Sequence, residues 1–589
     1  MPVRINSLGD LIVVKQTLAV FLALLSFCVL STSAISQTST ASAKPGGEVP
    51  GRPANAKPAS KEVGTAVVKR DVTEAISVIE NNYVGGGSLN YNDVFKTSID
   101  SMLHTLDPHS NYFDPKEFDQ FKTEQSSRYY GIGATIGDLS DPKGNVIATY
   151  VKATFDGAPA NVAGLRYGDK IVEVNGTPAL GKSFSEVRNF LRGPRGTKAT
   201  VVVERADTGK RETVEIVRDA VSQPSISEAY MIRPGIGYMN LNGGFNQTTS
   251  DEFFMDLQML KEQGMKQLIL DLRNNGGGLV SQAYSIANAF LSAGQTVMTQ
   301  QGRIERVNDT VVADNRNPDR SPLVVLVNHN TASASEILAG ALQDHDRALI
   351  VGENTFGKGL VQNPFVFPDY NSMLLLTIAK YRTPSGRLIQ RDYSNGELYN
   401  YYTEGGSLRD ENADLEKPKG LASKTDTGRA VYSGGGINPD ITIKPRTITI
   451  ERSRVQQKIA NPIFAFALDL VTGRVKGFEN YKVDGSITFD HDIRSNDYPV
   501  TPTLYQTFKD FAANKYRIPA PQIDAEKEFV ERILRSELIT AAYGSQSSYQ
   551  VFNEYDDQLL KAIDALPQAR QLAMQSERVK LGISHPRGD

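Results

Sequence analysis

The chain has 589 residues, which is more than one hydrophobic core usually holds, so we expect several domains. Its formal net charge is only −3, with 64 Lys and Arg residues against 67 Asp and Glu residues spread along the chain. This balance excludes the concentrated basic surface of a nucleic-acid-binding protein. The one cysteine, Cys28, lies near the start, so we expect neither disulfides nor cysteine catalysis in the body of the protein.

The first 36 residues have the features of a secretory signal peptide. Arg4 and Lys15 precede an apolar run, residues 17–30, which leads into small residues. We therefore expect an exported protein, located in the periplasm or the cell envelope. The apolar run is somewhat short for a membrane span, and an uncleaved N-terminus that anchors the protein in the membrane stays open as the alternative.

Composition and hydrophobic periodicity divide the rest of the chain. A Ser-, Ala-, Pro- and Gly-rich stretch predicts a disordered linker, because it cannot bury enough apolar surface to order itself. In the second half, buried-looking strands alternate with helices, which predicts an α/β domain with a largely parallel sheet. The expected divisions are a linker at 37–62, an N-terminal helical region at 63–122, a domain of short strands at 123–220, an α/β core at 221–447 and a helical C-terminal extension at 448–589.

One serine lies where a predicted strand turns into a helix. The apolar residues 323–327 lead into Thr331-Ala-Ser-Ala-Ser-Glu336, and the inner face of a helix follows. The hydroxyl of Ser333 at this turn is a candidate nucleophile. The competing interpretation is a capping box, in which Ser333 and Glu336 only satisfy the free N–H groups of the first helical turn.

A lysine flanked by glycines, Lys358, is the candidate base. A hydroxyl is a poor nucleophile until a base removes its proton, and a neutral lysine can replace histidine in this role. A lysine has a pKa of about 10.4 in water, so the role requires apolar surroundings that lower the pKa. Phe356, Leu360 and Val361 can supply them, and Gln362 lies on the same face of an extended chain, where its amide oxygen can orient the amine.

A glycine-rich loop is the candidate for stabilising an oxyanion. The segment Asp271-Leu-Arg-Asn-Asn-Gly-Gly-Gly278 follows a predicted strand, and glycine allows the backbone to approach a reacting group closely. We expect the backbone N–H of Gly276 or Gly277 to act together with that of Ala334. A nucleotide-phosphate loop is the rival interpretation, but the required glycine spacing and the Gly-Lys-Ser/Thr ending are missing.

These segments resemble the carboxyl-terminal processing, or tail-specific, protease family. The resemblance covers about residues 70–447 and rests on Thr331–Glu336, on Gly352-Glu-Asn-Thr-Phe-Gly-Lys-Gly359 and on Gln362. It implies a crotonase/ClpP-like α/β serine protease core with an inserted PDZ domain, flanked by the N-terminal helical region and the helical extension. It further implies that Ser333 is the nucleophile, Lys358 the base and Gln362 the third member of a triad.

An aspartate in the segment Leu342-Gln343-Asp344 is a secondary candidate. Some members of the family have been described with a catalytic aspartate at this place, so the resemblance brings in Asp344. It follows three turns of the predicted helix and would lie about 16 Å along the axis from Ser333. We therefore expect Asp344 to have a structural role.

The domain of short strands resembles a bacterial-type PDZ domain. The resemblance rests on Tyr130-Gly-Ile-Gly133, on Gly157-Ala-Pro-Ala160 and on Gly168-Asp-Lys-Ile-Val-Glu-Val-Asn-Gly176. Such domains bind a peptide as an extra strand and capture its terminal carboxylate with backbone N–H groups. The expected donors are Gly131, Ile132 and Gly133, and the expected ligand is a protein or peptide with a free, apolar C-terminus.

The expected function is therefore that of a serine endopeptidase. It would recognise protein C-termini through the PDZ domain and cleave peptide bonds through a Ser-Lys dyad or Ser-Lys-Gln triad and an acyl-enzyme. No metal or cofactor is expected, since His104 and His109 lack metal-ligand spacing, and a Ser-His-Asp triad through His329 or His345 is disfavoured.

Two other classes of function stay open at this point. One is a catalytically inactive, exported PDZ scaffold that only binds peptides, and the other is an acyl-CoA enzyme on the related fold. The second is disfavoured because it would explain neither the PDZ-like domain nor the Ser-Lys pair. Among partners, an adaptor or activator and a homodimer stay open.

Overall fold

The computed structural model describes residues 64–85, 89–394, 398–403, 420–485 and 487–580. The expected signal at residues 1–36 and the linker at residues 37–62 lie outside the described residues. The chain divides into two compact units, Met1–Leu106 and Asp107–Asp589. None of the helices in the described ranges combines the length and the hydropathy that crossing a membrane requires.

Helices and strands alternate through most of the described residues. The helices are α1 (Thr65–Asn82), α2 (Tyr91–His104), α3 (Pro115–Gln125), α4 (Pro159–Val162), α5 (Phe184–Leu191), α6 (Thr249–Glu262), α7 (Val280–Phe290), α8 (Ala334–Asp344), α9 (Leu398–Thr403), α10 (Ile450–Val471), α11 (Pro502–Tyr516), α12 (Ala520–Ala525), α13 (Lys527–Asn553) and α14 (Asp557–Lys580). The strands are β1 (Asn111–Phe113), β2 (Arg128–Gly131), β3 (Ala134–Ser140), β4 (Val146–Thr154), β5 (Lys170–Val174), β6 (Thr177–Pro178), β7 (Lys198–Glu204), β8 (Arg211–Val217), β9 (Asp219–Ser222), β10 (Glu228–Arg233), β11 (Ile236–Asn240), β12 (Gln267–Asp271), β13 (Thr296–Gly302), β14 (Asp309–Val312), β15 (Leu323–Val327), β16 (Leu349–Gly352), β17 (Leu360–Phe367), β18 (Ser372–Arg382), β19 (Ala422–Lys424), β20 (Ala430–Tyr432) and β21 (Ile441–Thr442).

The described part of the first unit consists of α1 and α2. Their apolar residues recur at helical spacing, which is the pattern that predicted helices here. The side chain of Asn90 accepts a hydrogen bond from the N–H of Asn92 and so caps the start of α2.

A small domain between β2 and β9 is built on a twisted antiparallel sheet. Its strands lie in the order β3-β4-β5-β7-β8, with β6 paired to β5, so β3 is an edge strand. Helix α5 begins with the capping box of Ser183 and Glu186 and packs Val187 and Leu191 into the core of this domain.

The second domain is centred on a six-stranded sheet in the order β10-β11-β12-β15-β16-β21. All neighbouring strands from β11 to β21 are parallel. Helices α6, α7 and α8 cover one face, and helix α14 of the extension packs on the other. Because both faces are covered, the strands are apolar throughout, and all five residues of Leu323–Val327 are buried.

A second sheet, built on the long strand β18, lies beside the parallel one. Strands β1, β13 and β17 all pair with β18. The short strand β1 follows a turn in which the carboxylate of Asp107 accepts hydrogen bonds from the N–H groups of His109 and Ser110, at 2.8 and 2.9 Å. The hydroxyl of Ser110 in turn accepts from the N–H of Thr377 on β18 at 3.1 Å. These hydrogen bonds hold His109 next to the start of β17, near Gln362.

The helical extension packs against the small domain. Leu139 and Tyr167 of the small domain are buried in the same apolar cluster as the helices α10, α11 and α13. The carboxylate of Glu537 on α13 accepts from the Lys152 amine at 2.8 Å and from the Tyr167 hydroxyl at 2.7 Å. The amine of Lys152 also lies 3.0 Å from the centre of the Phe464 ring, a cation–π contact.

We predict that Glu537→Ala destabilises the packing between the small domain and the extension by about 3 kcal/mol, because it leaves a largely buried lysine without its partner. Thermal unfolding and limited proteolysis would measure the loss. The double variant Lys152→Met, Glu537→Gln removes both charges and keeps an acceptor for Tyr167. Its stability should therefore be close to that of the parent protein. A double variant as unstable as the single one would contradict this account.

Candidate active site

Ser333 lies on the turn between β15 and α8, in a backbone conformation that ordinary residues avoid. Its φ and ψ angles are 57° and −117°, whereas the residue that caps a helix is usually extended. Gly277 lies against this turn so closely that a Cβ there would come within 2.8 Å of the Ser333 Cβ. A strained conformation held by close packing is typical of functional residues.

The carboxylate of Glu336, three residues further on, is fully buried and accepts four hydrogen bonds. Its donors are the N–H of Ser333 at 2.8 Å, the N–H of Gly357 at 2.7 Å, the N–H of Lys358 at 2.8 Å and the hydroxyl of Thr355. Burial raises the pKa of Glu336, and the four hydrogen bonds oppose this effect. The bond to Ser333 belongs to the capping box, yet the same carboxylate also fixes the loop that carries Lys358. Capping and catalysis are therefore compatible here.

Lys358 and Gln362 are brought together as the sequence predicts, although not within one strand. The extended segment expected from Gly357 to Gln362 is only partly a strand, since β17 begins at Leu360. The N–H groups before it are used elsewhere, those of Gly357 and Lys358 by Glu336 and that of Gly359 by the side chain of Gln390. The Lys358 amine nevertheless donates to the Gln362 side-chain oxygen at 2.7 Å.

Tyr381 on β18 connects the two halves of the site. Its hydroxyl lies 3.1 Å from the carbonyl oxygen of Ser333 and 3.0 Å from that of Lys358, so its single O–H is shared between the two backbones. The side chain is almost completely buried. No local pattern in the sequence marks Tyr381 as a residue that contacts two distant segments.

An aromatic wall, formed by His109, Phe356, Tyr401 and Tyr402, lies beside Gln362. The His109 ring packs edge-on against Phe356, Tyr401 and Tyr402, and its Nε2 lies 2.8 Å from the Tyr401 hydroxyl. The backbone carbonyl of His109 accepts from the Gln362 amide at 2.6 Å. Burial, with a smaller contribution from the charge of Lys358, lowers the pKa of His109 to about 2, so its ring is neutral.

His109 was expected to be structural, and the structure places it beside the candidate site. Its backbone carbonyl holds the Gln362 side chain, which in turn contacts the lysine. The signal that could have found it is the Asp-Pro-His-Ser turn, but the turn alone does not reveal a partner 253 positions away.

The structure distinguishes between the two glycines proposed as oxyanion donors. The N–H of Gly277, one of the two expected alternatives, donates to the side-chain oxygen of Asn275 at 2.9 Å. Gly277 serves instead as the residue that fits against the Ser333 turn. Gly276 is exposed, and Ala334 is the first residue of α8, where N–H groups lack partners within the helix. The pair Gly276 and Ala334 is the arrangement that fits the role.

Asp344 lies at the far end of α8 from Ser333, buried in a structural network. Its carboxylate pairs with Arg387 at 2.6 Å and accepts from the N–H and hydroxyl of Ser385, at 3.0 and 2.7 Å. This arrangement fits the structural role expected for Asp344.

The two histidines near Ser333 in sequence have other partners. The His329 ring contacts Glu353 at 3.4 Å, and the His345 ring contacts Asp426 at 2.9 Å and the carbonyl of Thr296 at 2.8 Å. These contacts do not form a Ser-His-Asp arrangement. Within the described ranges, no three His, Cys, Asp or Glu side chains are grouped so that they could hold a metal ion.

The loop predicted to bind a carboxylate, Gly131-Ile-Gly133, connects β2 to the edge strand β3. The carbonyl of Ile132 accepts from the N–H of Ala160 at 2.7 Å, and that of Gly133 accepts from the N–H of Phe155 at 3.1 Å. Gly133 has a φ of +72°, and a Cβ there would come within 2.3 Å of the Ala158 side chain, so only glycine fits. Gly131 pairs with Asp219 in the ladder between β2 and β9.

Comparison with known proteins agrees with this architecture. Residues 235–395 match Peptidase family S41, and residues 151–205 match the PDZ domain. A carboxy-terminal-processing protease of Bartonella bacilliformis is 37% identical over 303 residues, which are 50% of this chain and 67% of that protein. The chloroplastic carboxyl-terminal-processing peptidase 1 of Arabidopsis thaliana is 35% identical over 309 residues, 50% of this chain and 62% of that protein. The aligned region thus spans about two thirds of each relative.

A solved structure of the photosystem II D1 C-terminal processing protease is 28% identical and has a TM-score of 0.31, covering 63% of this chain and 92% of that one. The sequence matches define a PDZ-containing serine protease of the C-terminal processing class. The chain belongs to Peptidase family S41.

We predict that Glu336→Gln lowers kcat by roughly 100-fold, because an amide cannot accept four hydrogen bonds and the backbones of Ser333 and Lys358 would shift. Steady-state cleavage of an unstructured protein would measure kcat and KM, with KM little changed. Glu305→Gln makes the same chemical change at an exposed position. It is the matched control and should leave both constants unchanged. Wild-type kcat in Glu336→Gln would contradict the assigned role.

The buried histidine predicts an effect of pH on stability. Between about pH 6.5 and 2 the unfolded chain binds a proton at His109 and the folded chain does not, so stability falls as the pH is lowered through this range. The loss from this one group is at most about 1.4 kcal/mol per pH unit. Thermal unfolding of the wild type and His109→Gln at pH 7 and 5 would measure it. The variant should lose less stability on acidification, whereas His104→Gln, at an exposed position, should match the wild type.

Proposed function

We propose that the protein is an exported serine endopeptidase that cleaves its substrates through Ser333 and Lys358. The observation that carries the proposal is the shared buried carboxylate of Glu336, which accepts hydrogen bonds from the backbones of both residues. One carboxylate thereby anchors the two backbone segments that carry the proposed nucleophile and the proposed base. The family relationship supports the same class of reaction.

In the proposed first step, the neutral amine of Lys358 takes the proton of the Ser333 hydroxyl as its oxygen attacks the scissile carbonyl carbon. The negative charge that develops on the carbonyl oxygen is stabilised by the N–H groups of Gly276 and Ala334. The intermediate then collapses, the peptide C–N bond breaks, and the leaving amine takes the proton from Lys358. Water, deprotonated in the same way, hydrolyses the resulting acyl-enzyme and restores the hydroxyl.

The surroundings of Lys358 suit a base that must be neutral before it acts. Its amine contacts the uncharged amide of Gln362, and a carboxylate in that place would favour the protonated form. The rings of Phe356, Tyr401 and Tyr402 pack around the neighbouring His109, so the pair has apolar groups on this side. Gln362 is therefore proposed as the third member of the triad, one that orients the amine.

We further propose that the PDZ domain selects substrates by their free, apolar C-termini. The loop Gly131-Ile-Gly133 and the edge strand β3 provide the two parts that this mode of recognition needs, a carboxylate-binding turn and an unpaired strand edge. Ile132, together with Val187 and Leu191, lies in the apolar core beside them, which suits an apolar last residue. The inactive scaffold has no observation in its favour, since Ser333, Lys358 and Gln362 are all present and the Lys358 amine contacts Gln362.

The test is cleavage of an unstructured protein with an apolar C-terminus by residues 37–589, between pH about 6 and 10. Ser333→Ala and Lys358→Ala should each lose at least about 1,000-fold in kcat, because both residues act in the same step. The wild type should gain activity as the pH rises, since deprotonation of the lysine is required. Mass spectrometry of a rapidly quenched reaction should detect an acyl group on the peptide that contains Ser333.

Lys380→Ala, an exposed lysine on β18, is the matched control and should keep full activity. Amidation of the substrate's C-terminus should lower kcat/KM if the PDZ domain binds the free carboxylate. Unchanged cleavage by Ser333→Ala would contradict the assignment of the nucleophile. Equal cleavage of the free and amidated substrates would contradict tail recognition and leave the Ser-Lys chemistry standing.

A further inference from the structure

The edge strand β3 has backbone groups that face away from its one neighbour, β4. The carbonyl of Gly133 accepts from the N–H of Phe155, and the N–H of Asp141 donates to the carbonyl of Asn145, so the odd-numbered positions face β4. Because successive residues of a strand point their N–H and C=O groups in opposite directions, the even-numbered positions 134, 136, 138 and 140 face the free edge.

The last of these positions is occupied by a side chain of the helical extension. The side-chain oxygen of Asn461 on α10 accepts from the N–H of Ser140 at 3.0 Å, and its amide nitrogen donates to the carbonyl of Ser140 at 2.6 Å. One amide thus makes the same pair of hydrogen bonds that a residue of a neighbouring strand would make. A peptide added to the edge of β3 could not pair with Ser140 while Asn461 does.

Asn461 is held there by an extensive interface. Around it, Leu139 and Tyr167 of the small domain are buried against α10, and the Tyr150 and Tyr167 rings pack edge-on against Phe464. The pair Lys152–Glu537 joins the same two domains. The Asn461 amide is therefore part of a packed surface and is not an isolated surface contact.

Helix α5 forms the other side of the groove along β3, and it begins level with the end of this strand. Helix α5, which lies alongside β3, begins at Phe184, and the N–H of Phe184 donates to the carboxylate of Asp138. The hydroxyl of Thr149 also donates to this carboxylate, at 2.9 Å. Asp138 is the last free-edge position before Ser140. The groove between strand β3 and helix α5 therefore ends at Asp138.

We propose that the helical extension, through Asn461, limits the length of substrate tail that the PDZ domain binds as a strand. This inference rests on the proposed tail recognition. A tail with its carboxylate at Gly131-Ile-Gly133 runs antiparallel to β3 and pairs with Ala134, Ile136 and Asp138. In an antiparallel ladder each of these positions exchanges both hydrogen bonds with one residue of the partner strand, and the next partner residue is not hydrogen-bonded, so three positions hold a tail of about six residues. From about the seventh residue the tail leaves β3 and runs along α10.

The test is the affinity of peptides that share one apolar C-terminal sequence and are lengthened from four to ten residues. Fluorescence anisotropy with the Ser333→Ala form of residues 37–589 measures binding without cleavage. Affinity should rise by roughly two- to tenfold for each added pair of residues and then level off beyond about six. In Asn461→Ala the N–H and C=O of Ser140 are released, so an eight-residue peptide should gain over a six-residue one by a similar factor. Gln457→Ala, an exposed change one turn earlier on α10, should keep the parent profile.

A second measurement locates the tail directly. A photo-reactive benzophenone at the eighth residue from the C-terminus should cross-link within Ile450–Val471, and one at the third residue should cross-link within the small domain. Affinity that keeps rising to ten residues in the parent, an Asn461→Ala profile identical to the parent's, or an eighth-residue probe that never reaches α10 would each overturn the proposal. Equal binding of free and amidated peptides would instead overturn the tail recognition on which it rests.

Discussion

The buried carboxylate of Glu336 is the constraint on which the rest of the site depends. A charge in a protein interior is costly unless hydrogen bonds replace the lost water, and here four donors surround the two oxygens. Two of the donors are the backbone N–H groups of Ser333 and Lys358. The carboxylate therefore stays buried only while the turn after β15 and the loop before β17 keep their positions, so the stability of the core and the geometry of the site depend on the same group.

The neighbouring groups follow from this constraint. Because the Ser333 turn is strained, it needs close packing on its open side, and Gly277 supplies this at a distance that no side chain would permit. Tyr381 closes the opposite side by reaching the carbonyls of Ser333 and Lys358. The aromatic wall packs around His109, whose backbone carbonyl holds Gln362 against the lysine. Each of these contacts helps to hold two distant segments of the chain close together.

Local patterns predicted many of the helices and strands. The strand Leu323–Val327 was expected with those bounds, and Lys358 was expected to reach Gln362, which it does. The features that were missed depend on contacts between distant segments. The Gly277 N–H is taken by the Asn275 side chain, and Glu336 accepts from the Lys358 loop as well as from its own helix. A sequence pattern shows a cap or a glycine turn, but it does not show which remote donors share one oxygen.

The helical extension illustrates the same limit on a larger scale. It has no chemical motif, yet α14 covers one face of the parallel sheet, and the carboxylate of Asp556 next to it pairs with Arg273 at 2.7 Å. Arg273 belongs to the glycine loop that flanks Ser333, and it also pairs with Asp271 at 2.6 Å. The same extension contacts β3 of the PDZ domain through Asn461. Helix α10 shares one apolar core with α13, and α14 follows α13 in the chain, so one continuous set of helices contacts both the edge strand β3 and the glycine loop.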